Sequence, residues 1–189
     1  MRLLVEELPH THSVSIGCFV AVGAAHEQRE TAGISHFIEH MLFKGSRAYP
    51  NPKALSDAIE GVGGILDAYT GFDSTVYYAK VADIHVERAL GVLADMLQHP
   101  RLDRRDIEKE RRVITEEIRQ TADTPSDLVH MLSDQAMWGD QPLGRDIAGD
   151  EYSVATISAD AVRDWWRARY TRGAIIISIA GNITADRAA

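Results

Sequence analysis

The segment that most constrains this chain is Thr31-Ala-Gly-Ile-Ser-His-Phe-Ile-Glu-His-Met-Leu-Phe-Lys-Gly-Ser46. It is set on a helix at about 100° per residue with His36 at zero. His40 then falls at about 40°, Glu39 at about 300° and Phe43 at about 340°, while Ile34, Phe37, Ile38, Met41 and Leu42 fill about 100° to about 240°. A helix apolar over most of its circumference belongs in an interior, so other layers of the chain must wrap it. The one polar stripe, His36, Glu39 and His40, then faces either the core or the floor of a cleft. Buried polar groups are costly without partners, so the stripe demands some. Thr31 is the expected N-cap, and Gly45-Ser46 stops the helix.

The rest of the chain supplies those layers. Its 189 residues are about 1.3 times a typical domain, which favours one domain over residues 1–189. A chain of this size buries roughly 70% of its unfolded surface, enough for a core without staples. Arg2–Leu8, Val14–Gly23, Ile65–Val81 and Ala174–Ala180 read as strands, rich in β-branched and aromatic residues. Ile65–Val81 reads as a hairpin bending near Thr70-Gly71-Phe72-Asp73. Helices are expected over about 32–44, 53–62, 83–98, 103–122, 126–138 and 159–170, with Asn51-Pro52 opening the second and Pro100 stopping the third. Mixed elements with a hairpin predict an α+β fold, a mostly antiparallel sheet packed with helices.

Acidic residues outnumber basic ones 28 to 20, for a net charge of −8, which argues against a nucleic-acid binder. The single cysteine, Cys18, rules out an intrachain disulfide and a cysteine zinc knuckle. Its apolar neighbours point to a buried, inert thiol. No stretch approaches the ~18 consecutive apolar residues of a membrane span, and the start lacks the pattern of a signal peptide. The expectation is therefore a cytoplasmic protein. Thr184-Ala-Asp-Arg187 reads as a cap and first turn just before the last residue, so the chain is expected to be a fragment of a longer one.

Two histidines at i and i+4 are spaced to share a metal ion, and zinc accepts such ligands at about 2.0–2.1 Å. A carboxylate beside them is placed to take a proton from a water that the metal acidifies. With 8 histidines and 12 glutamates, the pattern His-x-x-Glu-His has ~0.02 chance matches in such a chain. An open zinc site usually has three protein ligands. Residues 103–122 offer the third. With Ile107 at zero, Glu110 falls at about 300° and Glu117 at about 280°, on the isoleucine face, whereas Glu108 and Glu116 point away. A partnerless buried carboxylate is costly, so Glu110 and Glu117 want a metal or a cation. The wheel does not choose between them.

These residues resemble the zinc metallopeptidases called inverzincins, the family of pitrilysin, insulysin and mitochondrial processing peptidase, whose hallmark is the inverted His-x-x-Glu-His motif. The resemblance covers nearly the whole chain, including ELPHTHSVSIGCFVAVGAAHE, ILDAYTGFDSTVYYAKV and IAGNI. It implies an amino-terminal domain, one part of a clamshell closed around an unfolded peptide by a second homologous domain or subunit. It also implies a third ligand about 76 residues beyond the second histidine. Glu117 stands at that separation from His40, which selects it as the ligand and makes Glu110 the supporting glutamate behind it. The implied enzyme is a zinc-dependent metalloendopeptidase: His36, His40 and Glu117 hold zinc, and Glu39 is the catalytic base. Asp67, Ala68, Tyr69 and Thr70 form the edge strand on which an extended peptide is added. Where the family often has Asn, this chain has Asp67, which accepts hydrogen bonds but does not donate them; it reads equally as a strand-edge solubiliser.

The alternative is a non-catalytic partner subunit of the same family, a class that typically lacks the motif. A closed four-ligand metal module is the third reading. None of the remaining histidines, His10, His12, His26, His85, His99 and His130, stands at a spacing that supplies a fourth ligand.

Overall fold

The computed structural model of the chain describes residues 1–188. Five strands, β1 (Arg2–Glu7), β2 (Ser13–Val20), β3 (Ile65–Thr70), β4 (Thr75–Ala82) and β5 (Ile175–Gly181), form one sheet in the order β1-β5-β2-β4-β3. All neighbours are antiparallel except β1 and β5, which run parallel. The α+β expectation holds, and β3–β4 is the expected hairpin, turning through residues 71–74.

Period-two alternation decides which face is buried. Val14, Ile16, Cys18 and Val20 of β2 point to the same side as Tyr77, Ala79 and Val81 of β4, and all seven are buried. Against that side lie α1 (Ile34–Leu42) and α3 (Val86–Gln98). The opposite side carries Ser15, Phe19 and Lys80, all exposed. Cys18 is 3% exposed, and burial pushes its thiol up to about 11; it is inert at neutral pH, as expected.

The remaining helices are α2 (Pro52–Ile59), α4 (Arg104–Asp123), α5 (Pro125–Trp138), α6 (Glu151–Thr156), α7 (Ala159–Arg169) and α8 (Ala185–Ala188). Asn51 caps α2 as its side chain accepts from the Ala54 N–H at 2.9 Å, with Pro52 at the first helical position. The short α6 escapes a periodicity reading because it runs for under two turns. Its signal is the cap: Asp150 accepts from the Ser153 N–H at 2.8 Å, and the Ser153 side chain sits 3.0 Å from the Asp150 N–H.

The start of α1 differs from expectation. Thr31 ends a short 3-10 turn, and the N-cap is Gly33, at φ +91°. A β-carbon there would stand 2.3 Å from the Ala148 carbonyl oxygen, so both the left-handed backbone and the close approach require glycine. The helix's free N–H groups are taken by a buried carboxylate instead of a threonine. Glu27, 5% exposed, accepts from the Gly33 N–H at 2.7 Å and from the Ser35 N–H at 2.8 Å. A negative charge at that end also suits the helix dipole.

Candidate metal centre

Helix α1 is buried as its circumference requires: Ile34, Phe37, Ile38, Met41 and Leu42 are each at most 1% exposed. The stripe of His36, Glu39 and His40 is half-buried and lies between α4 on one side and β3 on the other. On α4, Ile107, Glu110 and Ile114 are buried, Glu117 is half-buried, and Glu116 and Glu108 are exposed. The inward and outward glutamates are those the wheel separates.

His36, His40 and Glu117 each offer one ligand atom, and these atoms lie within 4.8 Å of one another. The two Nε2 atoms are 3.2 Å apart, and Glu117 Oε2 is 3.5 Å from His40 Nε2. Two nitrogen ligands about 2.05 Å from a tetrahedral ion stand roughly 3.3 Å apart, close to the 3.2 Å between the two Nε2 atoms, so the histidine pair fits zinc. The rings cross at 66° with centroids 4.5 Å apart. Two imidazole lone pairs at this distance repel unless a proton or a cation lies between them.

Glu110 does the other job that the wheel left undecided. Its Oε1 accepts from His40 Nδ1 at 2.9 Å, and its Oε2 meets Lys44 Nζ at 2.6 Å. With Nδ1 carrying the hydrogen, His40 presents Nε2 as its lone pair. Desolvation would raise the Glu110 carboxyl, but the His40 and Lys44 hydrogen bonds outweigh it and hold it below the usual carboxylate range. Burial likewise works against a charged His40, yet Glu110, Glu117 and Glu39 together raise its pKa. His36 behaves oppositely. Burial, helped by the neighbouring His40, pushes it down to about 4 and keeps it neutral, the form in which imidazole binds a metal. Its Nδ1 is buried without a hydrogen-bond partner.

Glu39 sits beside these candidate ligands with its pKa raised, mainly by burial, and its Oε2 accepts a hydrogen bond from the Thr70 hydroxyl. Together with Thr70, Tyr69 and Glu117 it lines an open groove of about 390 Å³. Ile147 and Ala148, from the loop that presses on Gly33, form the far wall. A larger cavity of about 490 Å³ lies between α5 and residues 139–150 and contains none of the ligand set.

Strand β3 is the edge of the sheet next to this groove. Ala68 and Thr70 pair with Tyr77 and Thr75 on the helix side, while Asp67 and Tyr69 pair with Tyr78 and Val76 on the other. Asp67 accepts from the Ala68 N–H at 2.8 Å and from the Tyr78 hydroxyl at 3.1 Å. So the four residues are not equivalent: one pair is exposed, and the other turns towards α1. Sequence reasoning missed Glu27, Lys44 and the Thr70–Glu39 contact. Lys44 stands four residues after His40, a helical spacing that shows its proximity. Glu27 and Thr70 meet α1 only through tertiary contacts.

Comparisons with known proteins bear on the family and the fold. The sequence profile of the insulinase family (peptidase family M16) matches residues 2–151. An uncharacterized zinc protease of Bacillus subtilis, YmxG, is 40% identical over 184 residues, which are 97% of this chain and 45% of that protein. The chain thus spans about half the length of that curated relative. A solved structure described as an M16-like peptidase, from Alicyclobacillus acidocaldarius, superposes with a TM-score of 0.86 at 26% identity, over 97% of this chain and 44% of that one. A peptidase M16 inactive domain from Pseudomonas fluorescens shares the fold at a TM-score of 0.88 and 18% identity, over 98% and 45%. This chain belongs to the insulinase family of peptidases, family M16.

Proposed function

We propose that this chain is the zinc-holding domain of a metalloendopeptidase that cleaves extended peptides, completed by a second homologous domain or subunit. The observation that carries this reading is the convergence of His36, His40 and Glu117 next to Glu39 in an open groove. In it His36 and His40 bind zinc through Nε2, and Glu117 adds a carboxylate charge. Glu110 holds the His40 ring, and Lys44 offsets the charge of Glu110. Zinc supplies a Lewis acid that makes a water acidic near neutral pH and polarises a carbonyl. Glu39, made more basic by burial, accepts a proton from the attacking water as its oxygen bonds to the peptide carbon. It then returns that proton to the departing nitrogen as the C–N bond breaks. The β3 edge, Asp67 to Thr70, carries the substrate backbone by strand addition.

A non-catalytic subunit is the second reading, favoured by the fact that a domain described as inactive shares this fold. The fold therefore does not separate the two; the presence of His36, Glu39, His40 and Glu117 supports the first. The deciding experiment measures zinc per chain after chelation and reloading, with cleavage of an unstructured peptide, for wild type, Glu117→Gln and Glu39→Gln. We expect one tightly held zinc in wild type and in Glu39→Gln, and zinc affinity at least ~100-fold weaker in Glu117→Gln. Loss of the base in Glu39→Gln should slow cleavage by about 10²–10⁴-fold. Absence of zinc from wild type, or wild-type cleavage by Glu39→Gln, would refute the proposal.

A further inference from the structure

The helix-facing side of β3 makes a contact for which peptide addition has no use. Thr70, paired with Thr75 on the side of the sheet that faces α1, donates its hydroxyl hydrogen to Glu39 Oε2. Among the described residues it is the one hydrogen-bond donor to that carboxylate. A glutamate has three side-chain torsions, and half-burial alone does not choose among their rotamers. Thr70 can choose, because its own χ1 is restricted by β-branching and its backbone is locked into the hairpin with β4.

We infer that Thr70 is a positioning residue for the base. Its hydroxyl anchors Glu39 Oε2, which leaves Oε1 to exchange the proton with water and leaving group. The inference rests on the proposed role of Glu39. It separates Thr70 from Asp67 and Tyr69, the residues of the segment that turn away from α1 and remain available to a peptide. The edge strand then has two sides with two duties, and a peptide laid along β3 lies in register with the base because one strand holds both. Pre-organisation of this kind raises the rate of the chemical step without tightening substrate binding.

The test uses Thr70→Val, which keeps the shape and removes the hydroxyl, and Thr70→Ser, which keeps the hydroxyl. We expect Thr70→Val to lower kcat by about 10–100-fold, the range seen when a supporting hydrogen bond in a metal site is lost. KM should stay within about twofold and zinc content should not change. Thr70→Ser should recover most of the loss, and Thr70→Val should add little in a Glu39→Gln background. A rise in KM with unchanged kcat would make Thr70 a substrate contact and overturn the inference. So would an unchanged kcat, or a loss that serine does not rescue. Crystal structures of the zinc-loaded wild type and Thr70→Val give a readout independent of turnover. Glu39 should occupy one position beside Thr70 in the former and be displaced or split in the latter; an identical Glu39 in both overturns the inference. If Glu39→Gln is inactive while Thr70→Val behaves as wild type, only this inference fails. If Glu39→Gln cleaves normally, the assignment of the base fails first.

Discussion

Helix α1 and strand β3 face each other across the same groove, yet they are built on opposite rules. The helix is enclosed: its apolar residues are at most 1% exposed, its first N–H groups are held by the buried Glu27, and Gly33 fits against the Ala148 carbonyl. The strand is an edge, with Asp67 and Tyr69 exposed and its outer side unpaired. The proposed metal centre and base need atoms fixed to a fraction of an ångström, which packing on all sides provides. A strand that receives another backbone must leave hydrogen-bonding groups free, which enclosure forbids. Thr70 belongs to both regimes: it is half-buried on the edge strand, and its hydroxyl donates to Glu39 on the helix.

The comparison is broken most directly at the point that fixes α1. Gly33→Ala places a β-carbon 2.3 Å from the Ala148 oxygen at φ +91°. Left-handed backbone costs about 1–2 kcal/mol, and overpacking adds about 1–3 kcal/mol. We expect chemical denaturation to show a loss of about 2–5 kcal/mol, with weaker zinc binding. A loss below about 1 kcal/mol would mean that α1 is not held as tightly as its enclosure implies.

Next in size is the pH response of the metal-free protein. His36 sits at about 4 in the fold against 6.5 for the free side chain. Between those values the unfolded chain binds a proton that the folded chain refuses, so stability falls as pH drops through the window. His40 has the opposite sign: its raised pKa gives stability that is present below 6.5 and lost as pH rises through its folded value. His36 therefore contributes an acid-side loss of up to about 3–4 kcal/mol, at ~1.4 kcal/mol per pKa unit. Unfolding free energies measured at the two ends of that window should show a smaller acid loss in His36→Gln than in wild type. Equal losses would show that the helix does not hold His36 neutral.

The smallest effect is expected on the strand. Asp67→Ala removes an exposed side chain bonded to Ala68 and Tyr78. Stability should change by no more than about 0.5 kcal/mol, and zinc affinity not at all, while peptide KM shifts. A large loss of stability or zinc would show that β3 shares the duty of α1, and the contrast would collapse.

Much of this arrangement was legible in the residues. The helical period showed that His36, Glu39 and His40 share a stripe and that Glu110 and Glu117 turn inward while Glu108 and Glu116 do not. Alternating apolar residues marked β2 and β4, and Asn51-Pro52 marked the start of α2. Less legible were the features made by distant partners. Thr31 looked like the cap of α1, but Glu27 and Gly33 take that place because the loop at 145–149, remote in the chain, closes on the helix. Segment 67–70 read as one edge strand, with only Asp67 set apart, until the register with β4 divided it.

Sequence alone determined what local periodicity carries: the element types, the faces they bury, and the ligand atoms that two helices offer to one side. The two glutamates were told apart by the family resemblance and not by periodicity; tertiary structure brings Glu117 to His40 Nε2 and Glu110 to its Nδ1, and decided which hydroxyl holds Glu39. The division has one cause. Side-chain direction follows from the helical turn or the strand pleat, both of them local repeats. Distances between elements depend instead on how their packed faces settle, and that information is spread over the whole core.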